Sequence, residues 1–166
     1  MMAALAVQDD GAMVRCVVAK TPKTELATIQ AAVVAGVASG KAPTSATEAA
    51  LTRVRSRAAG CSPGSGVADA RAGEIAVASL AVESLSNALQ SRGVNVLAIN
   101  DRLRRTPPAV LDALLAKTRN AQTEALAKEM MAAVGDKAKD DAVRRLMGGY
   151  TFNAARLGKL FKSTAG

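Results

Sequence analysis

The chain has 166 residues, a formal net charge of +8 and 49% hydrophobic residues, which fits one domain or two small ones and excludes wholesale disorder. It contains no histidine and only two cysteines, which excludes His-based triads, His general bases and zinc sites built from imidazole or several thiolates. Alanine supplies 37 residues and aromatic residues only 2%, a composition that favours helix over sheet because Ala loses no side-chain entropy in a helix.

The N-terminal segment, residues 4–18, is open to two interpretations. It predicts either a short β-hairpin that turns at residues 9–11, or a loose arm followed by a helical turn. In the hairpin, alternation would place Val14, Cys16 and Val18 on one face.

Residues 21–59 predict two helices. Thr21 and Pro22 are typical of an N-cap followed by the first helical residue, and Gly40 ends that helix. Its apolar residues recur at spacings of three and four: Leu26, Ile29, Val33 and Val37. A capping box from Ser45 to Glu48 begins the second helix.

Residues 60–66 are rich in Gly, Ser and Pro and carry no charge, which is typical of a linker. The linker divides the chain into an N-terminal helical segment, residues 1–59, and a C-terminal helical segment, residues 67–166. A single domain that includes both segments is the alternative interpretation.

The strongest helix signal follows the linker and ends at Gly93. Its apolar residues follow a heptad pattern: Ile75, Ala78, Val82, Leu85 and Leu89. We expect Ile75, Val82, Leu85 and Leu89 to be buried on one stripe. Residues 94–99 predict either a short strand or a buried connector.

The C-terminal third predicts three more helices. The first begins at residues 106–108 and extends to Val134, and the second is capped by Asp136 and covers residues 137–147. Gly148 and Gly149 would then break the chain before a short basic amphipathic helix, with Leu157, Leu160 and Phe161 on its apolar side. The fold class is therefore all-α with about five or six helices, with the N-terminal hairpin as a small β element if it forms.

No residue pattern indicates catalysis or a cofactor. Ser62 and Ser65 have no base to activate them, and the linker lacks the Lys-Ser/Thr ending of a phosphate-binding loop. Asp140 and Asp141 are adjacent, and neighbours in a helix do not face one another. We expect no enzymatic activity, no cofactor and no metal site.

Positive charge is concentrated in the C-terminal part. Residues 1–100 hold nine Lys and Arg against seven acids, whereas residues 101–166 hold thirteen against seven. A cationic segment of this kind attracts nucleic acid, anionic lipid or an acidic protein face, and the alternative is a solvated, solubilising surface. The candidate polyanion contacts are Arg102, Arg104, Arg105, Arg144, Arg145, Arg156, Lys159 and Lys162. Of these, Arg156, Lys159 and Lys162 are expected on one side of the last helix.

Targeting signals are weak. Residues 1–7 lack a basic n-region, and the longest weakly polar run, residues 27–38, is too short to span a bilayer. We expect a soluble chain made in the cytoplasm and not secreted by a signal peptide. Cys16 and Cys61 could pair, but in such a compartment the interpretation as small buried thiols is favoured.

These features predict a non-enzymatic helical structural or assembly component of a large oligomeric particle, with a virus or phage virion as the leading instance. The alanine-rich, aromatic-poor interior suggests that apolar stripes are completed by other subunits in a homo- or hetero-oligomer. One alternative is a basic nucleic-acid-associated factor that binds phosphates without sequence specificity, although few aromatics are present to stack bases. The other is a membrane-active helical protein, which is less favoured.

Overall fold

The computed structural model describes residues 2–62 and 69–162, with side chains described within residues 11–62 and 70–162. The described residues form eight α-helices, two or three more than expected, and no strand. The helices are α1 (Met2–Lys20), α2 (Lys23–Ser39), α3 (Ser45–Cys61), α4 (Asp69–Gln90), α5 (Val96–Arg105), α6 (Pro108–Leu115), α7 (Ala121–Val134) and α8 (Asp141–Lys162). A short 3₁₀ helix, Gly135–Lys139, precedes α8.

The predicted N-terminal hairpin is wrong, because residues 4–18 lie inside α1. The alternation that suggested a strand competes with a spacing of four between Met13 and Val17, and both of these side chains are buried. Val18, which the hairpin would have placed on its inner face, is 40% exposed. Packing of a helical stripe onto the bundle therefore overrides the Asp-Gly turn signal.

Cys16 of α1 and Cys61 of α3 form a disulfide with a Cα–Cα distance of 5.8 Å. The interpretation of these residues as small buried thiols is therefore wrong. The bond joins positions separated by 45 residues, so it ties the first helix to the third. Disulfides persist in oxidising surroundings and are rare in reducing ones.

Two helices begin one residue away from the expected position. The Thr21 hydroxyl donates to the Val17 carbonyl oxygen at 2.7 Å, so it serves the end of α1 and does not cap α2. The hydroxyl oxygen of Thr44, not that of Ser45, accepts from the Thr47 amide at 3.2 Å at the start of α3. Helix α2 therefore begins after Pro22 without a side-chain cap, α3 is capped by the neighbouring hydroxyl of Thr44, and both helices themselves are predicted correctly.

The single helix predicted from residue 107 to Val134 is wrong, since the structure divides it into α6 and α7. Asn120 and Thr123 form a capping box: the Asn120 side chain accepts from the Thr123 amide at 2.9 Å, and the Thr123 hydroxyl oxygen accepts from the Asn120 amide at 3.0 Å. Lys117, with a φ of 55°, lies in the connection. The capping box begins a second helix, α7, which is separate from α6.

The predicted helix of residues 137–147, its Asp136 cap and the break at Gly148 and Gly149 are also wrong. Asp140 caps α8 by accepting from the Ala142 amide at 2.7 Å, and the helix then runs through both glycines to Lys162. The buried stripe of α8 continues across them, from Leu146 to Tyr150. Burial of that stripe outweighs the low helix propensity of two glycines.

Helix α4 lies at the centre of the bundle and contacts α1, α2, α3, α5 and α8. Its predicted stripe is confirmed for Ile75, Leu85 and Leu89, which are fully buried, whereas Val82 is only partly buried. Leu85 and Leu89 belong to a core cluster shared with α5–α8, and Ile75 to a second cluster shared with α1–α3. Of the predicted linker, residues 60 and 61 belong to α3 and residues 63–66 lie outside the described part, so the division into two segments stays a prediction.

Candidate anion-binding groove

Two cationic segments that are distant in sequence meet at one groove. Arg104 at the end of α5 and Lys159 and Lys162 at the end of α8 line it together. The groove has a volume of about 400 Å³. Its remaining lining residues are mostly apolar: Leu103, Thr106, Pro108, Leu111, Asp112, Leu115, Ala154, Ala155 and Gly158. We call this feature the cationic groove.

The first wall of the cationic groove follows from the way α5 begins and ends. The strand or connector predicted for residues 94–99 is wrong, because residues 96–99 begin α5, and the side chain of the N-cap Asn95 accepts from the Leu97 amide at 3.1 Å. Ile99 and Leu103 of α5 are buried, which leaves Arg104 and Arg105 of its last turn on the outside. Cations at a helix C-terminus are stabilised by the helix dipole.

The second wall is formed by α6 and the end of α8. Pro107 and Pro108 start α6 two residues after α5 ends, because Pro pre-sets the backbone of a first helical turn. Val110 anchors α6 in the core, and α6 packs against α8. The short α6 thus holds Leu111 and Leu115 along the groove floor.

One of the three groove cations has a partner. Lys159 Nζ lies 2.7 Å from Asp112 Oδ1, but both side chains are more than half exposed, so the pair contributes little to stability. Arg104 and Lys162 are exposed, and neither forms an ion pair with a described residue. Two positive charges at the groove therefore remain available to an anion.

Arg156 does not line the groove with Lys159 and Lys162. It pairs with Glu74 of α4, and Glu74 also accepts from Arg55 Nε of α3 at 3.2 Å. Burial lowers the pKa of Arg156, and the nearby charge of Arg55 lowers it further. Arg156 thus links α8 to α3 and α4 and is absent from the groove.

Arg144 and Arg145 are also engaged within the fold. Arg144 pairs with Asp141 and donates to the Ala138 carbonyl oxygen at 2.7 Å. Arg145 donates to the Ala38 carbonyl oxygen at 3.2 Å, where it satisfies one of the carbonyl groups left free at the end of α2. Neither residue lines the groove.

The remaining candidates, Arg102 and Arg105, flank the groove without lining it. Arg102 pairs with Glu129 of α7, and Arg105 Nε donates to the Asp101 carbonyl oxygen at 3.1 Å. Of the eight predicted contacts, the structure therefore brings together Arg104, Lys159 and Lys162.

The apolar floor is not evident from the sequence. Leu111 and Leu115 lie within the one long helix that the sequence predicts, and no pattern distinguishes Gly158. The Asn120-to-Thr123 capping pattern is visible in the sequence and would have divided that helix. The packing of α6 against α8 is a tertiary contact, and no sequence pattern within either helix indicates it.

The apolar side of the last turns of α8 is covered within the chain. Leu157, Leu160 and Phe161 pack against the core cluster of α1, α3 and α4. A basic amphipathic helix needs that face for insertion into a membrane surface. Among the described helices, none combines the length and apolar character needed to cross a bilayer.

Within the described residues, no group of three or more His, Cys, Asp or Glu side chains is placed to hold a metal ion. The groove is thus built from cations, one paired carboxylate and an apolar floor, an arrangement suited to holding an anion. Comparison with protein-family models, with curated proteins and with solved structures finds no match for the chain.

Proposed function

We propose that this chain is a non-enzymatic, anion-binding helical component of a larger assembly, with the cationic groove as its contact site. The observation that carries the proposal is the convergence of Arg104 with Lys159 and Lys162 on one groove. Only Asp112 opposes them among the lining residues, and Lys159 already pairs with it. An anionic partner would therefore meet a local excess of positive charge.

Assembly is the setting that we propose, with an anionic partner as the component that holds it together. A net charge of +8 makes copies of this chain repel one another, so an assembly that contains several of them requires an anion to neutralise that repulsion. Apolar stripes completed by other subunits are a weaker reason than the sequence suggested, because Val18 and Leu97 are the large apolar side chains left exposed among the described residues. A large particle such as a virion, in which an acidic or phosphate-bearing partner neutralises the chain, fits this reasoning.

The experiment compares two variants of equal net charge. Arg104→Gln with Lys162→Gln removes the unpaired groove cations, and Lys20→Gln with Lys128→Gln removes two exposed cations elsewhere. Titration with inorganic polyphosphate should show weaker binding for the groove variant only, and sedimentation should show fewer large complexes. Equal weakening in both variants would mean that net charge alone attracts the polyanion, and would overturn the proposal.

The nucleic-acid alternative rests on the arginines at the end of α5, of which Arg104 and Arg105 are exposed. The same titration with a DNA duplex and with polyglutamate distinguishes it. A duplex bound far more tightly than polyglutamate, with a steep fall in affinity as salt is raised, would favour the nucleic-acid factor. Similar affinity for both probes would favour an acidic partner without a nucleic-acid preference.

A further inference from the structure

We propose that the cationic groove binds a single-chain amphiphilic anion, such as a fatty carboxylate or an alkyl phosphate. The head group would lie between Arg104 and Lys162, and the alkyl chain would lie on Leu111 and Leu115. This inference rests on the proposed anion-binding function and adds the chemical class of the ligand.

The size and composition of the groove support a small amphiphile. Its volume of about 400 Å³ lies in the range typical of small-molecule sites, which are mainly apolar with a few convergent polar groups. The apolar lining comes from three helices: Leu103 of α5, Leu111 and Leu115 of α6, and Ala154 and Ala155 of α8. A groove that bound only phosphate groups would gain nothing from this floor.

The charges at the groove mark the position of the head group. Arg104 and Lys162 are exposed and pair with no described residue, so each keeps its hydrogen-bond donors for a ligand. Asp112, the one lining carboxylate, is already held by Lys159 at 2.7 Å, which reduces its repulsion of an anion. A neutral amphiphile would leave these donors unused.

Gly158 keeps part of the groove open. A Cβ atom added at this position would have no heavy atom within 4 Å, apart from its own helix and chain neighbours. The glycine faces the same groove as Leu111 and Leu115. A side chain at this position would therefore begin in open space at a residue that lines the groove, and we expect a leucine there to occupy part of the groove.

The experiment is calorimetric titration with dodecanoate, dodecyl phosphate, dodecanol and inorganic phosphate, each below its aggregation limit. We expect the two amphiphilic anions to bind the full-length chain, and dodecanol and inorganic phosphate to bind at least about tenfold more weakly. Gly158→Leu should abolish binding of dodecanoate. The matched control is Gly148→Leu in the same helix, where an added Cβ also meets open space, and it should bind as the wild type does.

A second variant keeps the test decisive if Gly158→Leu does not fold. Arg104→Gln with Lys162→Gln changes only exposed side chains and should remove the preference for dodecanoate over dodecanol. Equal binding of dodecanoate and dodecanol by the wild type, or unchanged dodecanoate binding by both variants, would overturn this inference. If dodecanoate fails to bind while polyphosphate still depends on the groove cations, the inference falls and the proposed function stands. If neither dodecanoate binding nor polyphosphate binding depends on Arg104 and Lys162, both the inference and the proposed function are wrong.

Discussion

Gly149 of α8 lies so close to Val37 of α2 that any side chain at position 149 would collide with Val37 as it is placed. A Cβ atom added to Gly149 would lie 2.7 Å from Cγ1 of Val37 and 3.5 Å from Cδ1 of Leu85. Gly148, its neighbour in the chain, has no such contact within 4 Å. The two glycines that resemble a helix break therefore have different roles, and the second permits close packing of α2 on α8.

This difference predicts opposite effects for two adjacent substitutions. Gly148→Ala should raise the free energy of unfolding by up to about 1 kcal/mol, because Ala has the higher helix propensity and meets no clash. Gly149→Ala gains the same propensity but forces Val37 to move, and overpacking typically costs about 1–3 kcal/mol. Urea unfolding measures both values. Equal stabilisation by the two substitutions would contradict the close approach.

The hydrophobic pattern of α4 predicts the burial of Leu85. In the structure this residue is fully buried in the core cluster that α4 shares with α5–α8. Leu85→Ala should therefore lower the free energy of unfolding by about 2–5 kcal/mol, through lost apolar contact and the cavity that remains. The control is Leu97→Ala, since Leu97 is 71% exposed and should lose far less. A Leu85→Asp variant that folds normally would contradict the placement of this residue in the core.

Sequence reasoning succeeded where the signal is local. The spacing of Ile75, Leu85 and Leu89 describes one face of one helix, so it is read without knowing what packs on it. The continuation of α8 through Gly149 depends instead on burial of its stripe against helices that are far away in the chain. A Gly-Gly pair carries no local sign of these contacts, so the sequence pattern by itself indicates a break.

The same distinction between local signals and tertiary contacts applies to the candidate site. The cationic character of Arg104 and Lys162 is evident from the sequence, but their common groove requires α5, α6 and α8 to meet. The partner of Arg156 is also not evident from the sequence, because Glu74 lies on α4, far away in the chain. The tertiary fold determines ion-pair partners of this kind, and no pattern within a single helix predicts them.

The disulfide predicts a reducible contribution to stability. Replacing Cys16 and Cys61 together with Ser should lower the free energy of unfolding by about 2–4 kcal/mol, since the bond restricts the unfolded chain. Adding a reductant should lower the stability of the wild type and leave the double variant unchanged. Alkylation followed by mass measurement is the direct check: two modified thiols in the folded chain without reductant would show that the bond does not form.

Glu25 predicts a pH-dependent link between α2 and α3. Its carboxylate accepts from Arg57 Nη2 at 2.8 Å and from Arg53 Nε at 2.7 Å, and these bonds, that of Arg57 first, hold the pKa of Glu25 below its ordinary value of 4.5. Since the folded-state pKa is the lower one, the stabilisation is present above the unfolded-state pKa and is lost as the pH falls through the folded-state pKa. Glu25→Gln should therefore be less stable than the wild type at neutral pH, and the gap should close on acidification.

The matched control for this prediction is Glu83→Gln, which removes an exposed carboxylate that pairs with no described cation. The urea midpoint of unfolding is measured for the wild type, Glu25→Gln and Glu83→Gln across the acidic pH range. The comparison separates the effect of the ion pairs of Glu25 from the effect of net charge. A gap of the same size and pH dependence for Glu83→Gln would show that net charge, and not the bridge to Arg53 and Arg57, sets the effect.

The central claim is that anions bind at the cationic groove, and amide NMR of the isotope-labelled chain tests it most directly. During titration with inorganic polyphosphate, we expect the earliest and largest shifts at the amides of Arg104, Gly158 and Lys162, with little change around Lys20 and Lys128. Shifts of similar size at exposed cations throughout the chain, or a maximum away from the groove, would contradict the claim.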